Sequence, residues 1–307
     1  MNSLTKSIFL PIIAMSAALS AHVPAHAQQQ PRELKWHDKG VTPYIASQVD
    51  PRFSYMLYIP KGYQEYGTET CQLLVLIHGT ERRPDVYTEH FRDYADRNRV
   101  ILLAPLFPLN THGRQDLENY KLIDYKGTRY DLILLSMVDE AASKYRLADN
   151  TFSMHGFSGG GHFTHRFFYL HPHRLRSISI GAPGMVTLID STADWWVGTR
   201  DLYRRFNAKL NLAAMRRVNV HMVVGADDTD EWNEPITRDS KYWMGEDVKG
   251  ADYTTTGKNR IERLTTLKKN YEQHGIQVTM DIVPGAEHEE VQLFPAVQKF
   301  LEGKLTR

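Results

Sequence analysis

The segment Gly156–Gly160 reads GFSGG and places a serine between glycines in the pattern G-x-S-x-G. A strand is predicted at 151–155, directly before it, and a helix at 163–170, soon after it. A serine on such a tight strand–turn–helix connection projects its hydroxyl out of the turn, and the flanking glycines avoid Cβ clashes. The pattern therefore predicts Ser158 as a nucleophile, against the plainer alternative of a glycine-rich turn.

His288 is the best-placed base for that serine. A serine hydroxyl attacks a carbonyl only after a base takes its proton, and a histidine oriented by a carboxylate is the usual base. His288 lies on a loop between a predicted strand at 278–283 and a predicted helix at 291–301. His221, inside a predicted strand, and His274, at a helix end, rank below it.

The acid is expected after the predicted strand at 220–224, where three aspartates follow. Because the carboxyl ends of parallel strands meet at one edge of a sheet, this loop lies near Ser158. Asp227 and Asp228 compete for the role, with Asp230 behind them. The residues alone leave the choice open, since aspartates also form turns.

Two backbone amides are candidates for stabilising a tetrahedral oxyanion. One is the amide of Gly159, which follows the nucleophile, and the other is the amide of Thr80, in the loop after a predicted strand at 73–77. Gly79 gives this loop unusual backbone freedom. His78 invites a catalytic role, but we interpret it as a residue that orients the loop.

These residues need a framework of alternating strands and helices, which the hydropathy pattern provides from residue 53 onward. Strands are predicted at 53–59, 73–77, 100–104, 151–155, 178–180, 220–224 and 278–283, and helices at 85–98, 129–146, 163–170, 260–274 and 291–301. Asp85 is the predicted N-cap of the first helix, and Pro105 the end of the third strand. The alternation predicts an α/β fold with a mostly parallel sheet flanked by helices.

Residues 186–217 interrupt this alternation and are interpreted as a cap or lid inserted into a single domain spanning 28–307. The segment contains Trp195 and Trp196. An exposed pair would offer the substrate a stacking platform, while a buried pair would belong to the core. Both possibilities remain open at this point.

The N-terminus has the features of a signal peptide spanning residues 1–27. Lys6 precedes an apolar run, Ile8–Leu19, and Ala25–Ala27 has the small-x-small pattern of a cleavage site. The run is too short to span a bilayer comfortably, so no stable membrane insertion is expected. The predicted location is periplasmic or secreted.

The composition of the chain argues against several classes of protein. The 307 residues are 42% hydrophobic and carry a formal charge of +1, which argues against a disordered chain and gives no general steering toward nucleic acid. Cys71 is the only cysteine, so no intramolecular disulfide can form. No Walker loop or G-x-G-x-x-G after a strand is present, so no cofactor is predicted.

A histidine and arginine cluster follows the GFSGG segment. His162 and His165 have a helical spacing that two metal ligands could use, but no nearby Cys or carboxylate set completes a site, so no metal is predicted. With Arg166, Arg174 and Arg176 the segment is basic. It is either a solvated helix end or a patch for an anionic substrate.

The four motifs together resemble the serine hydrolases of the α/β-hydrolase fold. They are His78-Gly79, Gly156–Gly160, Gly225–Asp228 and His288, in the family order and across nearly all of the chain after residue 27. Within the family the chain is similar to secreted esterases of the polyhydroxyalkanoate-depolymerase and feruloyl-esterase type. The doubled glycine after the serine also resembles prolyl-oligopeptidase-like peptidases. One departure is the single cysteine, since secreted depolymerases often contain disulfides.

The resemblance implies which aspartate acts and what reaction follows. The family acid usually stands third after the glycine of this loop, which points to Asp228. The expected function is cofactor-free hydrolysis of a small or polymeric carboxylic ester through an acyl-enzyme. A peptidase or amide hydrolase, including one acting on a polyamide, is the alternative with the same triad. A non-catalytic binding protein on this scaffold ranks last, because all three triad roles have a candidate. The sequence gives no oligomeric state.

Overall fold

A computed structural model of the chain describes residues 33–114, 116–231, 256–302 and 304. Residues 1–27, the predicted signal peptide, lie outside the described residues. All predicted strands and helices lie inside them. The described residues fall within one compact unit, Pro31–Arg307.

Among the described residues, the main sheet has six parallel strands extended by antiparallel strands at one side. Its strands are β1 (Gly40–Val41), β2 (Ile45–Ala46), β3 (Ser54–Ile59), β4 (Gln72–Ile77), β5 (Val100–Leu106), β8 (Phe152–Phe157), β9 (Leu175–Gly181), β10 (Asn219–Gly225) and β11 (Val278–Val283), while β6 (Asp124–Tyr125) and β7 (Thr128–Arg129) form a separate hairpin. The spatial order is β1-β3-β5-β4-β8-β9-β10-β11, with β2 also paired to β3. From β5 to β11 every neighbouring pair is parallel. The loops after β4, β8, β10 and β11 therefore open at the same edge.

The sheet extends further than the sequence predicted at two places. The short strands β1 and β2 precede the first predicted strand and pair antiparallel with β3. β5 continues past Pro105, which was wrongly predicted to end it, and Pro105 lies opposite Tyr55 of β3. β5 pairs with β4 only as far as Leu103. The N–H that Pro105 lacks is therefore not needed for a hydrogen bond to β4.

Helices cover both faces of the sheet. They are α1 (Pro84–Asn98), α2 (Tyr130–Lys144), α3 (Gly159–Leu170), α4 (Leu202–Phe206), α5 (Leu212–Met215), α6 (Arg260–Gln273) and α7 (Glu290–Glu302). His155 of β8 contacts Phe91 of α1 and Phe294 of α7, while Phe152 contacts Phe167 of α3. Because residues 152 and 155 point to opposite faces of a strand, α1 and α7 lie opposite α3.

The first helix begins one residue before the position that the sequence predicted. Pro84 occupies its first turn, and Arg83, not Asp85, is the N-cap residue. Proline suits this place because its fixed φ is already helical and the missing N–H would have no helical partner. Asp85 instead pairs with the guanidinium of Arg83 at 2.8 Å.

Candidate active site

Ser158 lies on the turn between β8 and α3 in a conformation that L-residues rarely adopt, with φ 52° and ψ −111°. Its N–H donates to the carbonyl of Gly181 at 2.8 Å, which ties the turn to β9. α3 begins immediately afterwards, at Gly159, four residues before the predicted start. Three consecutive glycines hide this start from a propensity argument, because glycine disfavours helix interiors.

Close packing explains two of the glycines around the serine. A Cβ on Gly156 would collide with the carbonyl of Gly160, and a Cβ on Gly160 would collide with the carbonyls of Ile77 and His78. The first turn of α3 can therefore lie directly against the end of β4. This contact brings Ser158 next to the loop that follows β4.

Ser158, His288 and Asp228 form a continuous hydrogen-bonded series. The hydroxyl of Ser158 lies 3.1 Å from Nε2 of His288, and Nδ1 of His288 lies 2.6 Å from Oδ2 of Asp228. The residues come from the loops after β8, β11 and β10. With Nδ1 donating to the carboxylate, Nε2 is left to accept the serine proton.

The structure distinguishes the two competing aspartates. Asp228 is 2% exposed and contacts His288, whereas Asp227 is exposed and its N–H donates to the carbonyl of Ala286. Burial alone would raise the pKa of Asp228, but hydrogen bonds and positive charge from His288 and Arg260 outweigh it. The net pKa is lowered, so Asp228 remains ionised.

The peptide unit between Gly79 and Thr80 is held in place by the hydrogen bonds that its carbonyl accepts. The carbonyl of Gly79 accepts from Nδ1 of His78 at 2.8 Å and from the N–H of Arg82 at 3.1 Å. Nε2 of His78 accepts from the N–H of Phe107 at 3.0 Å, which sets the tautomer. Since the N–H of a trans peptide points away from its C=O, the Thr80 amide is held in one direction.

His78 thus has the loop-orienting position expected of it. It is fully buried, and burial lowers its pKa to about 3, so the imidazole is neutral. The Thr80 N–H donates to no other residue among those described, and the Gly159 N–H, at the first helical position, lacks an intrahelical acceptor. The hydroxyl oxygen of Thr80 lies 3.1 Å from the position that a Cβ of Gly159 would occupy. Thr80 and Gly159, whose amides are the predicted oxyanion donors, are therefore close in space.

A short 3₁₀ helix, Tyr120–Leu122, packs against the nucleophile turn and was not predicted. A Cβ on Gly159 would lie 2.5 Å from the hydroxyl of Tyr120 and 2.8 Å from Cε of Lys121. The Tyr120 hydroxyl donates to the carbonyl of His78 at 3.0 Å, and Lys121 pairs with Glu118 at 2.8 Å. No sequence motif marks this segment, and its position beside the nucleophile turn depends on the missing side chain of Gly159.

Arg260 is a second neighbour of the triad that sequence reasoning missed. Its Nη1 lies 2.6 Å from Oδ1 of Asp228, and both side chains are buried. It begins α6, and only the packing of that helix brings it to the loop after β10. No spacing rule links the two residues.

His162 and His165 are engaged with the backbone that follows β9. Nε2 of His162 accepts from the N–H of Met185, and Nε2 of His165 accepts from the N–H of Thr187. Nδ1 of His165 donates to the carbonyl of Gly161. Both imidazoles therefore tether residues 185–187 to α3, and within the described ranges no group of three or more metal-binding side chains is found.

Trp195 and Trp196 are packed in the core, at 3% and 4% exposure, and do not form the exposed platform that one reading of the sequence offered. Nε1 of Trp195 donates to the carbonyl of Leu122 at 3.1 Å, and the guanidinium of Arg166 lies 5.3 Å from the Trp196 ring. The rings attach residues 186–217 to α3 and to the segment beside Gly159. The lid role of residues 186–217 stays a prediction.

Comparison with solved structures decides the fold. A poly(aspartic acid) hydrolase from Sphingomonas sp. KT-1 is similar with a TM-score of 0.66 and 20% identity, over 85% of this chain and 98% of that chain. The chain has the α/β-hydrolase fold. A poly(3-hydroxybutyrate) depolymerase from Bordetella parapertussis gives a TM-score of 0.61 and 20% identity, over 83% and 85% of the two chains. A ferulic acid esterase gives a TM-score of 0.58 and 16% identity, over 86% of this chain and 95% of that chain.

The α/β-hydrolase fold confirms the fold class predicted from the four motifs. No protein-family model matches the sequence, and no curated protein does. In the described part of the chain, every helix is too short or too polar to cross a bilayer.

Proposed function

We propose that the chain is a serine hydrolase that cleaves carboxylic esters through an acyl-enzyme. The observation that carries this proposal is the continuous series Ser158–His288–Asp228, with contacts of 3.1 and 2.6 Å, in which Ser158 lies on the turn after β8 of an α/β-hydrolase fold. Structures similar to this chain include a depolymerase of a polyester and an esterase, which favours esters as the first class to test.

Acylation begins when Nε2 of His288 takes the proton of the Ser158 hydroxyl as its oxygen attacks the ester carbonyl. The carbonyl π electrons move to oxygen, and the amides of Gly159 and Thr80 stabilise the resulting charge. The imidazolium is stabilised by Asp228 and then gives its proton to the leaving alkoxide, which departs as an alcohol. The acyl group remains on Ser158.

Deacylation repeats these steps with water. His288 takes a proton from water, the hydroxide equivalent attacks the acyl carbonyl, and the same two amides stabilise the second oxyanion. The carboxylic acid leaves when Ser158 regains its proton from His288.

An amide substrate is the second candidate. A poly(aspartic acid) hydrolase is among the similar structures, and the same triad can cleave an amide if His288 protonates the leaving amine.

A turnover panel tests both candidates. It compares short and long nitrophenyl esters, feruloyl esters, a polyester film, peptide anilides and poly(aspartic acid), each with the wild type and Ser158→Ala. Turnover of esters that disappears in Ser158→Ala supports the proposal. Cleavage of amides alone would replace it with the second candidate, and ester turnover retained by Ser158→Ala would refute both.

Export is a separate proposal and rests on residues 1–27 alone. A mature N-terminus at Gln28 after expression with its native leader, determined by mass spectrometry of the exported fraction, would support it. An intact N-terminus on protein retained in the cytoplasm would contradict it.

A further inference from the structure

The carboxylate of Asp228 is held at both oxygens. Oδ2 accepts a hydrogen bond from His288 at 2.6 Å, and Oδ1 accepts one from Nη1 of Arg260, also at 2.6 Å. Asp228 is 2% exposed and Arg260 8%. The carboxylate is therefore enclosed between an imidazole and a guanidinium, away from solvent.

We propose that Arg260 is a positioning residue of the triad, which fixes the carboxylate of Asp228 toward His288 and moderates its charge. The inference deepens the proposed function and rests on it, because the role assigned to Arg260 is exerted through Asp228. It concerns a residue on α6, outside all four motifs of the site.

The first part of the role is geometric. A carboxylate bonded at one oxygen can turn about its Cβ–Cγ bond, whereas one bonded at both oxygens has a fixed plane. Charge-assisted hydrogen bonds are stronger than neutral ones, and the planar guanidinium is more directional than an ammonium. Arg260 therefore keeps Oδ2 of Asp228 in line with Nδ1 of His288.

The second part is electrostatic. The positive charge of Arg260 offsets part of the negative charge of Asp228, and it repels the imidazolium that forms on His288 during attack. The same charge is one of the causes that lower the pKa of Asp228. Without it, Asp228 would stabilise the imidazolium more strongly, and the acidic limb of the pH–rate profile would move to higher pH.

Among the described residues, the other ionisable groups near this cluster do not imitate that shift. His162 on α3 is electrostatically coupled to Arg260, but burial holds its pKa well below the ordinary value, so it stays neutral at assay pH. The carboxylates that flank the cluster on both loops and on α6 are exposed and screened by solvent: Asp227, Asp230, Glu231, Glu262, Glu287 and Glu289.

The test separates charge from geometry with two variants. Arg260→Gln removes the charge, and Arg260→Lys keeps the charge but loses the planar, directional guanidinium. The rates of fluorophosphonate labelling of Ser158 and of nitrophenyl ester turnover are measured from pH 5 to 9. We expect Arg260→Gln to lower the plateau about tenfold and raise the midpoint of the acidic limb by about half to one pH unit. Arg260→Lys should lower the plateau and leave the midpoint in place.

Arg263→Gln is the matched control. Arg263 lies on the same helix, is 1% exposed, and donates to the carbonyls of Gly257 and Gly184. It has no contact with Asp228 among the described hydrogen bonds. Arg263→Gln should lower the melting temperature and leave the pH midpoint unchanged, so it measures the purely structural cost of losing a buried arginine here.

A double-mutant cycle combines an Arg260 substitution with Asp228→Asn. If Arg260→Gln is too unstable to measure, the cycle can be built with Arg260→Lys. If Arg260 acts through Asp228, its substitution should cost much less in the Asn background than in the wild type. Equal losses in both backgrounds, or an unmoved midpoint in a folded Arg260→Gln protein, would overturn the inference. Labelling needs no ester substrate, so a protein that labels without turning over esters would fail the proposed function while still testing Arg260.

Discussion

At the scale of single residues, the backbone of Ser158 provides the most direct test of the nucleophile turn. Its φ of 52° is costly for a residue with a Cβ and cheap for glycine. Ser158→Ala and Ser158→Gly should both lose ester turnover and fluorophosphonate labelling. The glycine variant should be the more stable by about 1 kcal/mol in urea unfolding, because relief of strain exceeds the added entropy of the unfolded chain.

The opposite order of stability would mean that the turn is not strained at Ser158. Labelling that persists on another serine in either variant would remove Ser158 from the nucleophile role. Circular dichroism of both variants provides the control for folding.

The two neighbouring aspartates form a natural matched pair. Asp228→Asn should lower kcat by about four orders of magnitude, since the amide no longer holds His288 in the tautomer that accepts the serine proton. Asp227→Asn should change kcat less than about twofold, because Asp227 is exposed and, among the described hydrogen bonds, takes part only through its backbone. The reverse ranking in steady-state assays would transfer the role to Asp227.

Some residues of the site could be predicted from the sequence and others could not. Ser158, Gly159 and His288 follow predicted strands, so their loops are brought together by the rule for parallel sheets. The choice of Asp228 needed the family pattern, because adjacent aspartates on a loop have the same local chemistry. Arg260 could not be found, since its contact depends on how α6 packs.

At the scale of elements, the contact between α3 and the end of β4 depends on Gly160. Gly160→Ala should destabilise the protein by about 3 kcal/mol, because its Cβ would meet the carbonyls of Ile77 and His78 and force α3 away from the strand. Gly62→Ala is the control, since a Cβ there has open space. Urea unfolding that gives equal stability for the two variants would contradict this account.

Trp195 joins residues 186–217 to the segment beside Gly159. Trp195→Phe should lower the free energy of unfolding by about 1–3 kcal/mol, because the carbonyl of Leu122 loses its donor. KM for acetyl and for bulky esters should change equally, since the ring is buried. A selective rise in KM for bulky esters with unchanged stability would instead favour a substrate-stacking role. Tyr203→Phe, at an exposed ring of the same segment, is the control.

Element boundaries were predictable where packing and propensity agree. β11, whose residues match the predicted 278–283, has turn residues on both sides. α3 was predicted to begin too late, because tight packing requires glycines that helix propensity disfavours. β1 and β2 have only two residues each, too few for a periodic pattern.

At the scale of the whole molecule, buried neutral histidines predict how acid unfolds the protein. Burial lowers the pKa values of His78, His155 and His165 to about 3, whereas an unfolded histidine titrates near 6.5. The unfolded chain therefore binds about three more protons between these values. Stability is fully present above about pH 6.5 and should fall by about 4 kcal/mol per pH unit as the pH drops below 6.

Urea unfolding at pH 7, 6, 5 and 4.5 measures this slope. A variant such as His155→Phe, compared at each pH with the wild type, should have a slope smaller by about 1.4 kcal/mol per pH unit, because one titrating group is removed. Stability that stays level down to pH 4.5 would show that acid unfolding is governed by carboxylates instead. His162, whose pKa is also well below the ordinary value, adds to the slope.

The separation of Ser158 and His288 along the chain, 130 residues, has a consequence for folding kinetics. The base follows β11, the strand at the far side of the sheet, so the reacting pair exists only after that strand has docked. Contacts between such distant residues form late, because a long loop must close first. During refolding from urea, we therefore expect buried-tryptophan fluorescence to recover before hydrolysis does, because turnover requires β11 to have joined the sheet.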